Sequence, residues 1–353
     1  MSIIIAVDAM GGDNAPEPIV RGAVLAANAN PVRILLVGDE EKIRPLLAKQ
    51  KYPKNAIEII HAEDEIEMGE SPKSAVETKP NSSIMKAARL VSQGRAHALV
   101  SAGSTGSVVL SAAKNIPRIT GVRRTAIATV YPTLNELKRA DLLCLILDVG
   151  ANVQSSAEEM VQFAIMGSAY VSDVRGISDP NVALLNIGEE STKGGEKMQE
   201  AYRMLSETTT LKFIGNIEGK DLLRGAADVV VTEGFVGNIV IKTMEGAAKT
   251  VSHLGKIAFK TKFIWKIGLI MLRKGLEMLK EVTDYSEYGG APLLGFEKIV
   301  IIAHGRSNAK AMSNAIKLAG KCVRDDVCGK ITKNISQFEK SPDHEYERLT
   351  HEM

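Results

Sequence analysis

The residues best able to do chemistry in this chain stand in short loops of small residues that carry amide, hydroxyl or lysine groups. The fullest is Asn186-Ile187-Gly188-Glu189-Glu190-Ser191-Thr192-Lys193-Gly194-Gly195, which follows an apolar, β-compatible run and precedes a helix-like segment, Glu196 to Ser206. Its glycines leave backbone N–H groups open to a ligand, and Lys193 adds an ammonium. Six more loops share this character: Asp8 to Asn14; Ser101 to Ser107, with Ser104-Thr105-Gly106 at a helix start; Asp148 to Asn152; Gly215-Asn216; Glu233 to Asn238, with Gly237; and His304 to Ser307. Taken singly, each also reads as ordinary structure: Asp8 and Asp148 as loop caps, Asn216 and Asn238 as turn residues, His304 as a packing histidine, Lys193 as a solvated lysine. Taken together, neutral donors with a few cations at strand ends suit a bound phosphate and a developing oxyanion. A helix start favours the same kind of anion.

The standard devices of other chemistries are missing. No two glycines are separated by one residue, so G-x-G-x-x-G is excluded, and no Gly-Lys pair is followed by Ser or Thr. G-x-S-x-G and H-E-x-x-H are absent, and the six histidines are scattered, so neither a hydrolase elbow nor a zinc site is expected. No cofactor and no metal are expected.

The elements that must position these loops alternate between β-branched runs and alanine-rich helical segments. Strands are expected at Ile3 to Asp8, Val32 to Val37, Ile57 to His61, Ala98 to Ala102, Arg124 to Val130, Leu142 to Val149, Val182 to Ile187, Phe213 to Gly215, Val229 to Val231 and Ile299 to Ala303. Helices follow most of them, one opened by Pro16. This alternation predicts an α/β fold: a doubly wound, mostly parallel sheet with helices on both faces, whose strand-end loops converge on one edge. Residues 1–335 read as a single domain, with a basic amphipathic helical excursion at about 245–285, and residues 336–353 as a charged, frayed or disordered tail.

Composition agrees with a soluble globular chain: 353 residues, 45% apolar, 24% charged, and only 4% aromatic, so the core must be aliphatic. A net charge of +2 gives no argument for nucleic acid. No run approaches a membrane span and no signal peptide is expected. Cys144, Cys322 and Cys328 form no paired framework and read as reduced thiols of a cytoplasmic protein. One stretch stands apart. Lys249 to Leu276 has no acidic residue but holds seven basic ones, among them Lys262, Lys266 and Arg273, around the only tryptophan, Trp265. It reads either as a packing helix or as an interfacial segment for lipid or an acidic partner.

The runs IAVDAMGGDNAP, LVGD, SAGSTGS, LDVGAN, VQFAIMGS, LLNIGEESTKGGE, FIGNIEG, DVVVTEGFVGNIVIKTMEG, EYGGAPLLG and AHGRS, in this order from about Ile3 to Arg324, resemble the PlsX-type phosphate acyltransferases of bacterial phospholipid synthesis. Ser104 and Glu233 stand where that family usually has asparagine and aspartate. The resemblance implies the phosphotransacetylase and isopropylmalate dehydrogenase fold. It implies a cofactor-free transfer of a fatty acyl group from acyl carrier protein to inorganic phosphate, giving acyl phosphate. It further implies a homodimer, peripheral contact with the inner face of the membrane, and a membrane glycerol-3-phosphate acyltransferase downstream; Lys262, Trp265, Lys266 and Arg273 are the residues expected to meet the membrane, the acidic carrier protein or the dimer partner. The expected roles are phosphate binding by Lys193 and the Ser104-Thr105-Gly106 helix start, oxyanion stabilisation by Asn238 with Asn216, and proton transfer to the leaving thiol by His304. Asp8, Asn14, Asp148, Asn152, Gly188 and Gly237 are expected to line the substrate. An acyl-coenzyme A-using phosphotransacylase is the nearest alternative. A decarboxylating dehydrogenase of the related fold and a non-catalytic membrane scaffold are more distant ones.

Overall fold

A computed structural model describes residues 2–138, 141–261, 265, 272 and 289–340. The elements run β1 (Ile3–Asp8), α1 (Glu17–Ala29), β2 (Val32–Gly38), α2 (Glu40–Ala48), β3 (Ile57–His61), α3 (Pro72–Thr78), α4 (Ser83–Ser92), β4 (Ala98–Ser101), α5 (Thr105–Asn115), β5 (Ala126–Pro132), β6 (Leu143–Leu147), α6 (Ala157–Arg175), β7 (Asn181–Leu185), α7 (Glu196–Glu207), β8 (Lys212–Ile217), α8 (Gly219–Leu222), β9 (Val229–Val231), α9 (Gly234–Thr261), β10 (Ala291–Leu294), β11 (Ile299–Ile302), α10 (Ala309–Arg324) and α11 (Val327–Glu339). Local chemistry explains many boundaries. Asp39 caps α2 by accepting from Glu41 N. Ser156 and Glu159 close a reciprocal capping box at the start of α6, and Gly176 ends that helix in the left-handed region at φ 74°.

All eleven strands form one sheet in the order β3-β2-β1-β4-β11-β10-β5-β6-β9-β7-β8. The central strands are apolar throughout, as strands covered on both faces must be. One face carries the largest apolar cluster, under α1, α2, α6, α7, α10 and α11. The other face is divided: α3, α4 and α5 cover one cluster, and α8 and α9 cover another.

The sheet is mostly parallel, as expected, but in two blocks of opposite direction. Strands β3, β2, β1, β4 and β11 are mutually parallel, and β6, β9, β7 and β8 are mutually parallel. Between them β10 is antiparallel to both β11 and β5, and β5 is antiparallel to β6. Three reversals therefore separate the blocks, and their strands end on opposite edges of the sheet. This corrects the expectation of one convergent edge. The reason is the antiparallel step from β5 to β6: the two antiparallel pairings of β10 cancel, so β5 still runs with the first block.

Two smaller differences concern the ends. The charged tail expected from Ser336 begins inside α11, which continues to Glu339 with Phe338 buried. Residues 341–353 lie outside the described residues. The basic excursion begins as the outer half of α9. Trp265 is exposed in a helical turn, while Lys262, Lys266 and Arg273 lie outside the described residues.

Candidate functional site

Each block ends in a loop organised by a buried aspartate. In the first block Asp8 closes β1. Its carboxylate accepts hydrogen bonds from Ser83 Oγ at 2.6 Å, Ser101 Oγ at 2.7 Å and Met10 N at 3.2 Å. Ser101 Oγ in turn accepts from Gly103 N at 3.0 Å, which fixes the approach to α5. Gly11 must lack a side chain here, because a Cβ would come within 2.5 Å of Asp8 Oδ2 and 2.7 Å of Gly103 N. Ser104 caps α5, accepting from Ser107 N and pairing its hydroxyl with Ser107 Oγ. Thr105 is exposed, and Gly106 lies under Pro72 of α3. The loop after β11 joins this rim, since Asp13 N donates to Gly305 O at 2.8 Å and Arg306 pairs with Asp13 at 3.5 Å. Asn14 is exposed beside it.

In the second block Asp148 closes β6. It is fully buried and accepts from Ile127 N, Gly150 N, Ala151 N and Asn152 N at 2.8 to 3.1 Å, and from Asn152 Nδ2 at 3.0 Å. Burial pushes the carboxyls of both Asp8 and Asp148 above the usual aspartate range, against the pull of these donors. The first turn of α9 sits directly on this loop. A Cβ on Gly234 would overlap Asn152 O, and one on Gly237 would overlap Asp148 O. Asn238 then donates from Nδ2 to Val149 O at 3.0 Å while staying exposed.

Two strands outward, the Lys193 loop leaves β7. Asn186 Nδ2 donates to Lys193 O at 3.1 Å, and Asn216 Nδ2 donates to Glu190 O at 2.8 Å. Gly188 is buried against the Glu190 and Lys193 side chains. The Lys193 ammonium is exposed, with Glu190 Oε1 at 3.8 Å. Glu233, at the end of β9, accepts from Ser155 N at 3.1 Å and pairs with Lys197 of α7. The Lys197–Glu233 pair thus ties the Lys193 loop to the helix that carries Asn238.

The two rims approach one another on the divided face. Asp148 lies beside Ile127, and the register through β10 and β11 carries that level to Leu99. It is therefore two residues, about 7 Å along the strand, from Ser101. Val149 and Ala151 pack against the same apolar cluster as α5. From its start on Asp148, α9 runs toward the end of β11, where Lys242, Glu245 and Lys249 act on His304. His304 Nδ1 accepts from Arg306 N at 3.1 Å, which leaves the proton of the neutral ring on Nε2. Burial, and then the Lys242 charge, push its pKa below the usual histidine value.

The structure gives several of these residues partners within the chain. Asp8 and Asp148 are buried, with their oxygens engaged by the chain's own donors, and they position the loops around them. Asn152 and Gly237 serve the Asp148 hub. Asn216 holds the Lys193 loop through its amide, donating from Nδ2 to Glu190 O. His304 stands at the end of β11, its pKa lowered by burial and then by the Lys242 charge, and its Nδ1 accepts from Arg306 N. The pairings of Ser83 and Ser101 with Asp8, and of Lys197 with Glu233, were not expected. Among the described residues, no group of three or more His, Cys, Asp or Glu is arranged to hold a metal, and no helix is long and apolar enough to cross a membrane.

Comparison with known proteins adds an independent line. A family profile described as fatty acid synthesis protein matches residues 3–330. The phosphate acyltransferase of Dictyoglomus thermophilum is 46% identical over 334 residues, covering 95% of this chain and 98% of that protein. The phosphate acyltransferase of Geobacillus thermodenitrificans is 44% identical, covering 94% and 99%. Among solved structures, a phosphotransacetylase from Streptococcus pyogenes aligns with a TM-score of 0.63 at 18% identity, covering 92% of this chain and 94% of that one. The EutD phosphotransacetylase from Staphylococcus aureus gives 0.57 at 20%, covering 91% and 94%. These structural likenesses speak for the fold.

Proposed function

The chain belongs to the fatty acid synthesis protein family and is a phosphate acyltransferase; from that premise we propose that it transfers a fatty acyl group from acyl carrier protein to inorganic phosphate at the rim holding Lys193 and Asn238. The observation that carries the site is the parallel pairing of β7 with β9. The Lys193 loop and the start of α9 leave the sheet side by side, at the carboxyl ends where α/β sheets bind ligands.

A phosphate oxygen attacks the thioester carbonyl carbon, and the carbonyl becomes a tetrahedral oxyanion. The C–S bond breaks as the carbonyl re-forms, giving acyl phosphate and a thiolate that takes a proton from water. Lys193 holds the phosphate. Its exposed pairing with Glu190 at 3.8 Å is weak enough for a dianion to displace. One amide hydrogen of Asn238 is committed to Val149 O, and the other faces the oxyanion. One such donor is worth about 3 kcal/mol and positioning about 7 kcal/mol or more. Direct attack is favoured over an acyl-enzyme, because no Cys or Ser stands in an activated-nucleophile motif and Cys144 and Cys322 are buried, their thiols pushed up to about 12.

Lys242 and Lys249 on α9, continued by the acid-free stretch in the sequence, suit an acidic carrier protein as donor. The exposed Val251, Leu254, Ile257 and Trp265 support a homodimer that touches the inner membrane face and hands acyl phosphate to a membrane glycerol-3-phosphate acyltransferase. Lys193→Ala and Asn238→Ala each lower turnover at least tenfold with folding intact; wild-type rates in both would remove the site. Equal rates with acyl-carrier-protein and acyl-coenzyme A donors would remove the carrier preference.

A further inference from the structure

We infer that the substrate's acyl chain lies on an apolar platform made by Val153, Ile187, Phe235 and Ile239, an inference that rests on the acyl-transfer reading above. These side chains are 73%, 82%, 59% and 49% exposed, although apolar groups of this size gain by leaving water. They stand on the loops after β6, β7 and β9, three strands that are neighbours in the order β6-β9-β7 and end on the same edge. Clustering of exposed apolar residues at one place marks a binding surface, whereas single ones need no explanation.

Each of the four adjoins a polar residue of the candidate site. Val153 follows Asn152, and Ile187 precedes Gly188 in the Lys193 loop. Phe235 and Ile239 flank Asn238 on α9, where positions 235, 238, 239 and 242 fall on one helical stripe. A fatty acyl thioester has the matching pattern: one polar carbonyl joined directly to a long methylene chain. With the carbonyl oxygen at Asn238, the first methylenes meet Phe235 and Ile239, and the tail passes out over Val153 and Ile187. A second copy of the chain or a bilayer seated on these residues would cover Lys193 and Asn238 as well. An acyl chain leaves them at its head.

The test is a donor series of short-, medium- and long-chain acyl carrier proteins, with kcat/KM read for wild type, Phe235→Ala and the double variant Val153→Ser with Ile187→Ser. The double variant changes only well-exposed loop positions and guards against a folding defect. Each methylene moved from water onto the platform is worth about fourfold. Both variants therefore lose at least tenfold more kcat/KM with the long-chain donor than with the short-chain donor, through KM. Displacement of a pyrene-labelled long-chain fatty acid weakens in parallel. Equal losses across the series in both variants would overturn the platform. So would an unchanged chain-length dependence accompanied by loss of the dimer in sedimentation, or by loss of flotation with anionic vesicles, which would assign the patch to a second copy or to a bilayer. A wild-type protein that releases no thiol in response to phosphate would instead overturn the acyl-transfer reading itself.

Discussion

The two halves of the sheet solve one problem in different ways. Both end a central strand with a buried aspartate whose carboxyl is raised by burial. Asp8 is held mainly by the hydroxyls of Ser83 and Ser101, which come from 75 and 93 residues away. Asp148 is held mainly by backbone amides of its own loop, within four residues. A hydroxyl can turn from donor to acceptor, but an amide N–H cannot. The first rim is thus a long-range clasp that tolerates a change of charge. The second is a rigid local turn, a suitable base for the residues proposed to hold an oxyanion and a phosphate.

The sharpest way to break this comparison is at the glycines. Gly237→Ala drives a Cβ into the Asp148 carbonyl, a backbone atom that cannot step aside, and is expected to cost about 3 kcal/mol or more. Gly11→Ala presses partly on the Asp8 carboxylate, a side chain that can move, and costs less; chemical denaturation of both variants gives the order. Next comes the carboxylate itself. Asp148→Asn leaves backbone donors without an acceptor and is expected to cost about 3 kcal/mol, whereas Asp8→Asn costs about 1 kcal/mol because the serine hydroxyls can reverse. Equal costs would remove the distinction. Ser83→Ala and Ser101→Ala, each taking one hydrogen bond from a charged group, are expected to cost about 1.5 kcal/mol.

The pH dependence follows from the raised carboxyls. Above the ordinary aspartate value of 3.8 and below the raised ones, the native state holds more protons than the unfolded chain. The contribution of these two groups to stability is therefore greatest below that window and falls as pH rises through it. Denaturation across the acid range shows the slope, and Asp8→Asn flattens it. The smallest effect is on thiol labelling. Cys144 in β6 and Cys322 in α10 belong to different blocks and are both buried, so in rising denaturant they label together if the single sheet opens as one unit.

Much of this was legible in the sequence. Nearly every strand was marked by an apolar run, and the strand-end loops by small polar residues. The Asp148 hub was readable too, because its donors follow within four residues. The Asp8 clasp was not, since nothing in IAVDAMGG specifies serines so far along the chain. Strand direction was the larger loss. Periodicity marks a strand but not its orientation, so the antiparallel step from β5 to β6 left no mark. That reversal puts the loops of Ser104 and His304 in the other block from Lys193. Lys197 and Glu233 were hidden for a simpler reason: an ion pair between a helix and a distant strand end leaves no local pattern.

The central claim is that the Lys193 and Asn238 rim moves an acyl group to phosphate without other help. The most direct measurement is thiol release from acyl carrier protein by the purified chain with no added cofactor, followed with and without inorganic phosphate, with acyl phosphate trapped by hydroxylamine. The account predicts phosphate-dependent thiol release with an equal yield of trapped acyl product, and its loss in Lys193→Ala and Asn238→Ala. Thiol release that ignores phosphate and yields free fatty acid would contradict it.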